Sequence, residues 1–354
     1  MYRHIIHIHI SAFSIAVERA VHPELRDRPV AVVPPRSERS VILCASAEAM
    51  KEGVFKGMPL SKAVKSCPGL EVINPNPWLT EKAGQSLAGV AGNYTPLWEP
   101  ARPGHIYMDV TGTERLWGRA KDTALRVTRE IKKRISLPAA VGVAGNKMVS
   151  SIASRIMPHE GILDVDHGRE APFMAPLKVG MVPGIGPFRR KILLEELNIV
   201  QVRELARLDL GNLRLIFGRQ AFVIHQRAVG IDPTPVCPSS AEPSVKEEIY
   251  LAEDENDDQK ILGVLYKMVS RCAFRLRKRS VFPKKAGLLI RYSDHMEARR
   301  QSKLPRPSFW DFDLYPHVEA LYFKACDRRV RIRFIRIWFR DLFREPGQLS
   351  LFNS

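Results

Sequence analysis

Ile6, Ile8 and Ile10 alternate with His7, His9 and Ser11, and only a β-strand presents a period of two as separate faces. Such a strand buries one side and carries a row of imidazoles on the other. The pattern returns further along, where Ile106, Met108 and Val110 alternate with His105, Tyr107 and Asp109. This predicts a second strand whose polar side could face that of the first. A helix is predicted over Lys121–Ile135, with Ala124, Val127, Ile131 and Ile135 on one stripe, and another strand over Ala139–Ala144. The unit is βαβ-like. Pro29–Val33 and Val41–Ala45 read as two more buried strands, the second leading into a helix around Ala47–Glu52, which implies a small α/β unit.

Past Pro172 the texture changes to short helices, punctuated by Val182-Pro183-Gly184-Ile185-Gly186 and Phe217-Gly218. A Pro-Gly-Ile-Gly hairpin between helices frees backbone N–H groups to face a phosphate, because glycine permits the torsions and the close approach; an ordinary turn has the same signature. Asp232-Pro233-Thr234-Pro235-Val236-Cys237-Pro238 has the composition of an extended linker and sets off a last domain. Within that domain Arg271, Arg275, Arg277, Lys278, Arg279, Lys284 and Lys285 are concentrated, and Arg329, Arg331 and Arg333 alternate with apolar residues. Such a strand would bury one face and offer a ladder of guanidiniums to a DNA backbone, contacts that position without reading sequence.

With 354 residues there is room for two or three domains, and a net charge of +17 favours a polyanionic partner, nucleic acid being the expectation. Five scattered cysteines without C-x-x-C spacing suggest neither a disulfide framework nor a zinc knuckle. No apolar run approaches the length of a membrane span. The expectation is a soluble, cytoplasmic protein with no membrane partner.

Several segments taken together resemble the Y family of translesion DNA polymerases, the DinB and UmuC relatives. They are Phe13 with Ala16-Val17-Glu18, Leu25 to Val32, Gly53-Val54 with Gly57-Met58-Pro59, Tyr107 to Thr111, Gly142-Val143-Ala144 with Lys147, Ile152-Ala153-Ser154, and the Val182–Gly186 turn. The resemblance implies a multidomain α/β (α+β) right hand. Its palm would be 1–11 and 78–170, its fingers 12–77, a helix-hairpin-helix thumb 171–232, a linker 233–246, a little finger 247–343 and a tail 344–354. It also implies where two magnesium ions would be held. The family's metal-binding carboxylates fall on His9, Ser11, Gly104 and His105, and only Asp109 remains, with a structural role at the following turn as its plainest reading. The aromatic steric gate falls on Ser14, unless Phe13 serves. The triphosphate contacts fall on Ala47 and Met50, and a helpful lysine near Ser151 or Pro158. Magnesium prefers carboxylate oxygen to imidazole, so the expectation is no catalytic residue, no metal and no cofactor. His9, His105 and Asp109 converging on zinc or nickel is a lesser alternative.

At the end of the chain, Gln348-Leu349-Ser350-Leu351-Phe352 resembles the sliding-clamp-binding peptide of bacterial polymerases: an amide followed by aliphatic and aromatic anchors, Gln348, Leu349, Leu351 and Phe352. The resulting expectation is closest to the ImuB-type accessory subunits. It is a non-catalytic homologue that binds damaged or primer-template DNA through Gly184, Gly186, Arg275, Arg277, Arg279, Arg329, Arg331 and Arg333. It would bind the β sliding clamp through the tail, and could meet an error-prone replicative-type polymerase and a RecA-like accessory protein. The alternative is an active error-prone translesion polymerase with altered ligands for magnesium.

Overall fold

The computed structural model describes residues 2–34, 40–157, 160–238, 244–294 and 296–344. The strands run β1 (Ile5–His9), β2 (Val30–Val32), β3 (Cys44–Ala45), β4 (Glu71–Ile73), β5 (Trp98–Arg102), β6 (His105–Asp109), β7 (Ala140–Ala144), β8 (Gly161–Asp164), β9 (Val245–Glu255), β10 (Lys285–Tyr292), β11 (Glu297–Lys303) and β12 (Ile332–Arg340). Contacts divide the chain into one unit of residues 1–33 with 41–239 and another of 34–40 with 240–354. Among the described residues no helix is long and apolar enough to cross a membrane.

In the first unit, a five-stranded sheet has the order β5-β6-β1-β7-β8. Both neighbours of β1 are antiparallel to it, so β6 and β7 run parallel with β1 between them. The predicted βαβ unit is therefore split, with helix Ala120–Ile135 as its crossover. Ile6, Ile8, Ile106, Met108, Val141 and Val143 form the apolar face, packed on Ala124, Val127 and Ile131 of that helix and on Leu87 and Val90 of helix Pro77–Gly92. The two polar strand sides do not oppose each other across a gap. They lie side by side, His9 opposite His105 and His7 opposite Tyr107.

A second helix, Lys147–Ile156, covers that polar face. Gly142 is what lets it sit down: a Cβ there would lie 2.0 Å from the Ser150 carbonyl oxygen and 2.7 Å from the Ser154 nitrogen. The smaller sheet, β3-β2-β4, packs Ala31, Val33 and Ile42 against Ala49, Met58 and Ala63. Only Cys44–Ala45 of the strand expected over 41–45 is extended ladder, because Val41 bridges to Pro59 instead. Helix Ala47–Lys51 follows as predicted, with the Ser46 hydroxyl accepting from the Ala49 N–H.

Short helices from Pro187 to Ala228 close around Val182, Ile185, Leu193, Leu213, Phe217 and Ile224. The expected linker is strapped down over its first part rather than free. Arg3 donates to the carbonyls of Pro233 and Thr234, the Asp232 carboxylate accepts from the Met148 N–H, and Glu99 accepts from the Cys237 N–H. Its last two residues, 245 and 246, already belong to β9.

The second unit is an antiparallel sheet, β11-β10-β12-β9, with helices Asp258–Arg279 and Asp311–Ala325 on one face. Leu288, Ile290, Ile335, Ile337 and Phe339 meet Leu265, Val269, Leu276, Val318 and Tyr322 in its core.

Candidate functional site

On the polar face of the first sheet three imidazoles form one cluster. His9 and His105 stack at 4.5 Å between centroids, 19° from parallel, and His7 lies 5.2 Å from His105. The Ser154 hydroxyl donates to the Ser151 carbonyl, so His7 must donate its Nδ1–H to the Ser154 oxygen, at 2.6 Å. His7 Nε2 is then an acceptor for the Nδ1–H of His105 at 3.3 Å, a tautomer assigned from this network. All three rings are held neutral. Burial pushes the His105 imidazole down to about 3, helped by Arg102, His9 and Arg155; burial likewise holds His7 well below the usual imidazole range and lowers His9.

Gly104 has φ +76°, and a Cβ there would sit 2.8 Å from Phe13 Cβ and 3.0 Å from the Ile10 carbonyl oxygen. In this backbone no carboxylate side chain can stand at 104. Phe13 is buried in the core and cannot serve as a gate. Ser11 and Ala47 line a cavity of about 500 Å³ that begins at His9, while Met50 is exposed. The Ser151 carbonyl also accepts from Arg155; Pro158 lies outside the described residues. Asp109 does not join His9 and His105: its carboxylate accepts from the Thr111 N–H at 3.0 Å and faces Arg3 at 4.0 Å. It holds the turn, as its plainest reading had it. Among the described residues no group of three His, Cys, Asp or Glu is placed to hold a metal ion.

In the turn after residue 181, Gly184 has φ +96° and its carbonyl accepts from Arg189, while the Pro183 carbonyl accepts from Arg227. Gly186 caps helix Pro187–Lys191. The turn expected from Val182–Gly186 is formed.

The cations of the second unit are arranged differently from the sequence-based expectation. Arg275 and Arg277 lie on helix Asp258–Arg279, in the layer opposite the open sheet face. Arg275 binds Glu247 and the Lys246 carbonyl; Arg277 donates to the Phe309 carbonyl and lies over Trp310. Arg279 is exposed at the end of that helix, and Arg329 and Arg331 precede β12. Arg333 forms a two-bond pair with Asp254 at 2.8 and 3.0 Å, so it is no rung of a free ladder. The open face is instead built by strand pairing: Arg299, Leu289 and Arg336 align across β11, β10 and β12, with Lys303, Lys285 and Arg340 aligned four residues further along, beyond the row of Gln301, Gly287 and Trp338. Arg299 and Arg340 lie over the Trp338 ring at 4.9 and 5.6 Å, and Arg291 and Arg336 over Phe334 at 5.1 and 5.3 Å. Trp338 lies flat because its partner is Gly287, where a Cβ would come within 2.1 Å of the indole. The ion pairs on this face, Arg291–Glu297, Arg336–Glu248 and Lys285–Asp341, are at the surface and weak.

The family model described as impB/mucB/samB matches residues 8–155, and its C-terminal domain matches 242–351. A DNA polymerase IV of Dehalococcoides mccartyi (strain ATCC BAA-2266 / KCTC 15142 / 195) is 31% identical over 350 residues, 99% of this chain and 90% of that protein. DNA polymerase IV 1 of Bacillus subtilis (strain 168) is 31% identical, covering 99% and 86%. The chain belongs to the Y family of DNA polymerases. Its fold is that of the solved Y-family chimera Dbh-Dpo4(243-245)-Dbh, with a TM-score of 0.83 at 22% identity over 96% of this chain and 99% of that one. The insertion ternary complex of Dbh DNA polymerase gives a TM-score of 0.70 at 21% identity, covering 96% and 99%. The two magnesium ions of a Y-family palm do not fit the donors present here. Neutral imidazoles and a closed glycine stand where oxygen anions would be needed, with the cations Arg102 and Arg155 acting on the rings.

Proposed function

We propose that this Y-family member holds primer-template DNA without extending it, and acts in translesion synthesis and repair as a clamp-associated adaptor. The observation that carries this reading is the palm face: His7, His9 and His105 are hydrogen-bonded and neutral beside two guanidiniums, so nothing there can clamp the attacking and leaving oxygens of nucleotidyl transfer. Primer extension with purified protein in Mg²⁺ and in Mn²⁺ is expected to give no templated product. Incorporation lost in Asp109→Ala would overturn the proposal. The relatives favour a second reading, an active error-prone polymerase, since proteins called DNA polymerase IV match 99% of the chain; the same assay decides between them.

DNA is the partner that the solved Y-family complexes suggest, and the open little-finger sheet face suits its backbone, with unit charges seated on aromatic rings. Arg299→Ser and Arg340→Ser are each expected to weaken DNA binding and to lower the slope of log affinity against log salt by about 1. Arg275→Ser, whose guanidinium is occupied by Glu247, is expected to leave the slope unchanged. Equal slopes in all three variants would remove the sheet face from the interface. Clamp binding through Gln348, Leu349, Leu351 and Phe352 falls outside the described residues. It stands if deleting 348–352 abolishes retention on the β clamp and fails if retention persists.

A further inference from the structure

Arg102 and Arg155 are the unexplained charges of the palm. Strand pairing sets Arg102 opposite His105. Arg155 follows Ser154, the residue that touches both His7 and His9, and its Nε is fixed on the Ser151 carbonyl at 3.1 Å. The two guanidiniums repel each other and all three rings, yet among the described residues neither is in an ion pair. Like charges held on one face without a counter-ion cost stability unless an anion joins them. Because His105 donates its Nδ1–H to His7, its other nitrogen is an acceptor, so the negative part of a ligand must lie on the guanidiniums. Beside His9 the cavity of about 500 Å³ offers room for the remainder.

We propose that this face binds a phosphate group without any divalent cation, Arg102 and Arg155 supplying the charge that neutralises it. Two sources share that chemistry, a free nucleoside triphosphate and a phosphate of a DNA strand near its end. The inference rests on the non-catalytic reading above. It reassigns the place of the metals to fixed cations, which can hold a phosphate but cannot activate an attacking hydroxyl.

The test measures binding of dATP, of inorganic tripolyphosphate and of a fluorescein-labelled primer-template to the full chain in EDTA and then in Mg²⁺. Wild type is expected to bind in EDTA and more weakly in Mg²⁺, which competes for the phosphate. The Arg102→Ser/Arg155→Ser protein is expected to lose at least about tenfold in affinity while melting no lower than wild type does, both side chains being exposed and their mutual repulsion being removed. Loss with dATP and tripolyphosphate assigns the site to a free nucleotide; loss confined to the primer-template assigns it to a strand phosphate. Wild-type affinity of the double variant for all three probes, or binding by wild type only when Mg²⁺ is present, overturns the proposal. Templated extension in the same samples would instead overturn the non-catalytic reading, and unchanged binding by the double variant leaves that reading intact.

Discussion

Gly142→Ala is expected to destabilise the first unit by about 3 kcal/mol, the upper end for overpacking a core. The added methyl would meet backbone: the Ser150 carbonyl oxygen at 2.0 Å and the Ser154 nitrogen at 2.7 Å, with Ala153 Cβ at 3.0 Å. No rotamer change relieves that contact. Either helix Lys147–Ile156 lifts off the sheet or β7 bends, and both part His7 from Ser154 and expose the imidazole cluster. Gly89→Ala is the control, for it lies exposed in helix Pro77–Gly92 with nothing within 4 Å of the added carbon, and it is expected to gain about 1 kcal/mol from helix propensity. Urea unfolding monitored by circular dichroism reads both. A Gly142→Ala midpoint equal to wild type would mean that the helix does not sit where the close approach places it.

The two-faced palm strands were legible in the sequence because a period of two is local: Ile6, Ile8 and Ile10 declare the core side before any partner strand is known. The imidazoles of His9 and His105 were placed on the polar side by the same alternation. Arg102 and Arg155 were not, since one reaches the imidazoles through the register of β5 on β6 and the other through a helix laid over the sheet. Gly104 was read as a missing ligand, whereas its positive φ and its contact with Phe13 show a position closed to any side chain. In the little finger the dense run from Arg271 to Arg279 drew attention by proximity in sequence, but helical rotation directs Arg275 and Arg277 to partners of their own. Arg299 and Arg336, distant in sequence, are brought into one row by antiparallel pairing through Leu289. Charge density along a chain is thus a poor guide to charge density on a face.

Acidification is expected to unfold this protein through its palm before most carboxylates titrate. His7 and His105 are almost wholly buried, and burial, followed for His7 by the other two rings and for His105 by Arg102, keeps both neutral when folded. His105 takes its proton only at about 3, against an ordinary imidazole value of about 6.5 in the unfolded chain. Below pH 6.5 the unfolded state therefore binds protons that the folded state refuses, and stability falls as pH falls, by about 1.4 kcal/mol per pH unit for each such histidine. From pH 6.5 to 5, His105 alone loses about 2 kcal/mol, and His7 adds to the loss in the same direction. The charged neighbours Arg102 and Arg155 deepen the effect, since they repel any imidazolium formed between them. His105→Gln keeps an amide donor for His7 and removes one titration, so its melting temperature should decline less steeply over that interval. Arg155→Ser should flatten the decline as well, by letting the rings protonate in place. If wild type and His105→Gln lose stability in parallel between pH 6.5 and 5, the rings are not held neutral by the fold, and the palm face is more open to water than its packing under helix Lys147–Ile156 implies.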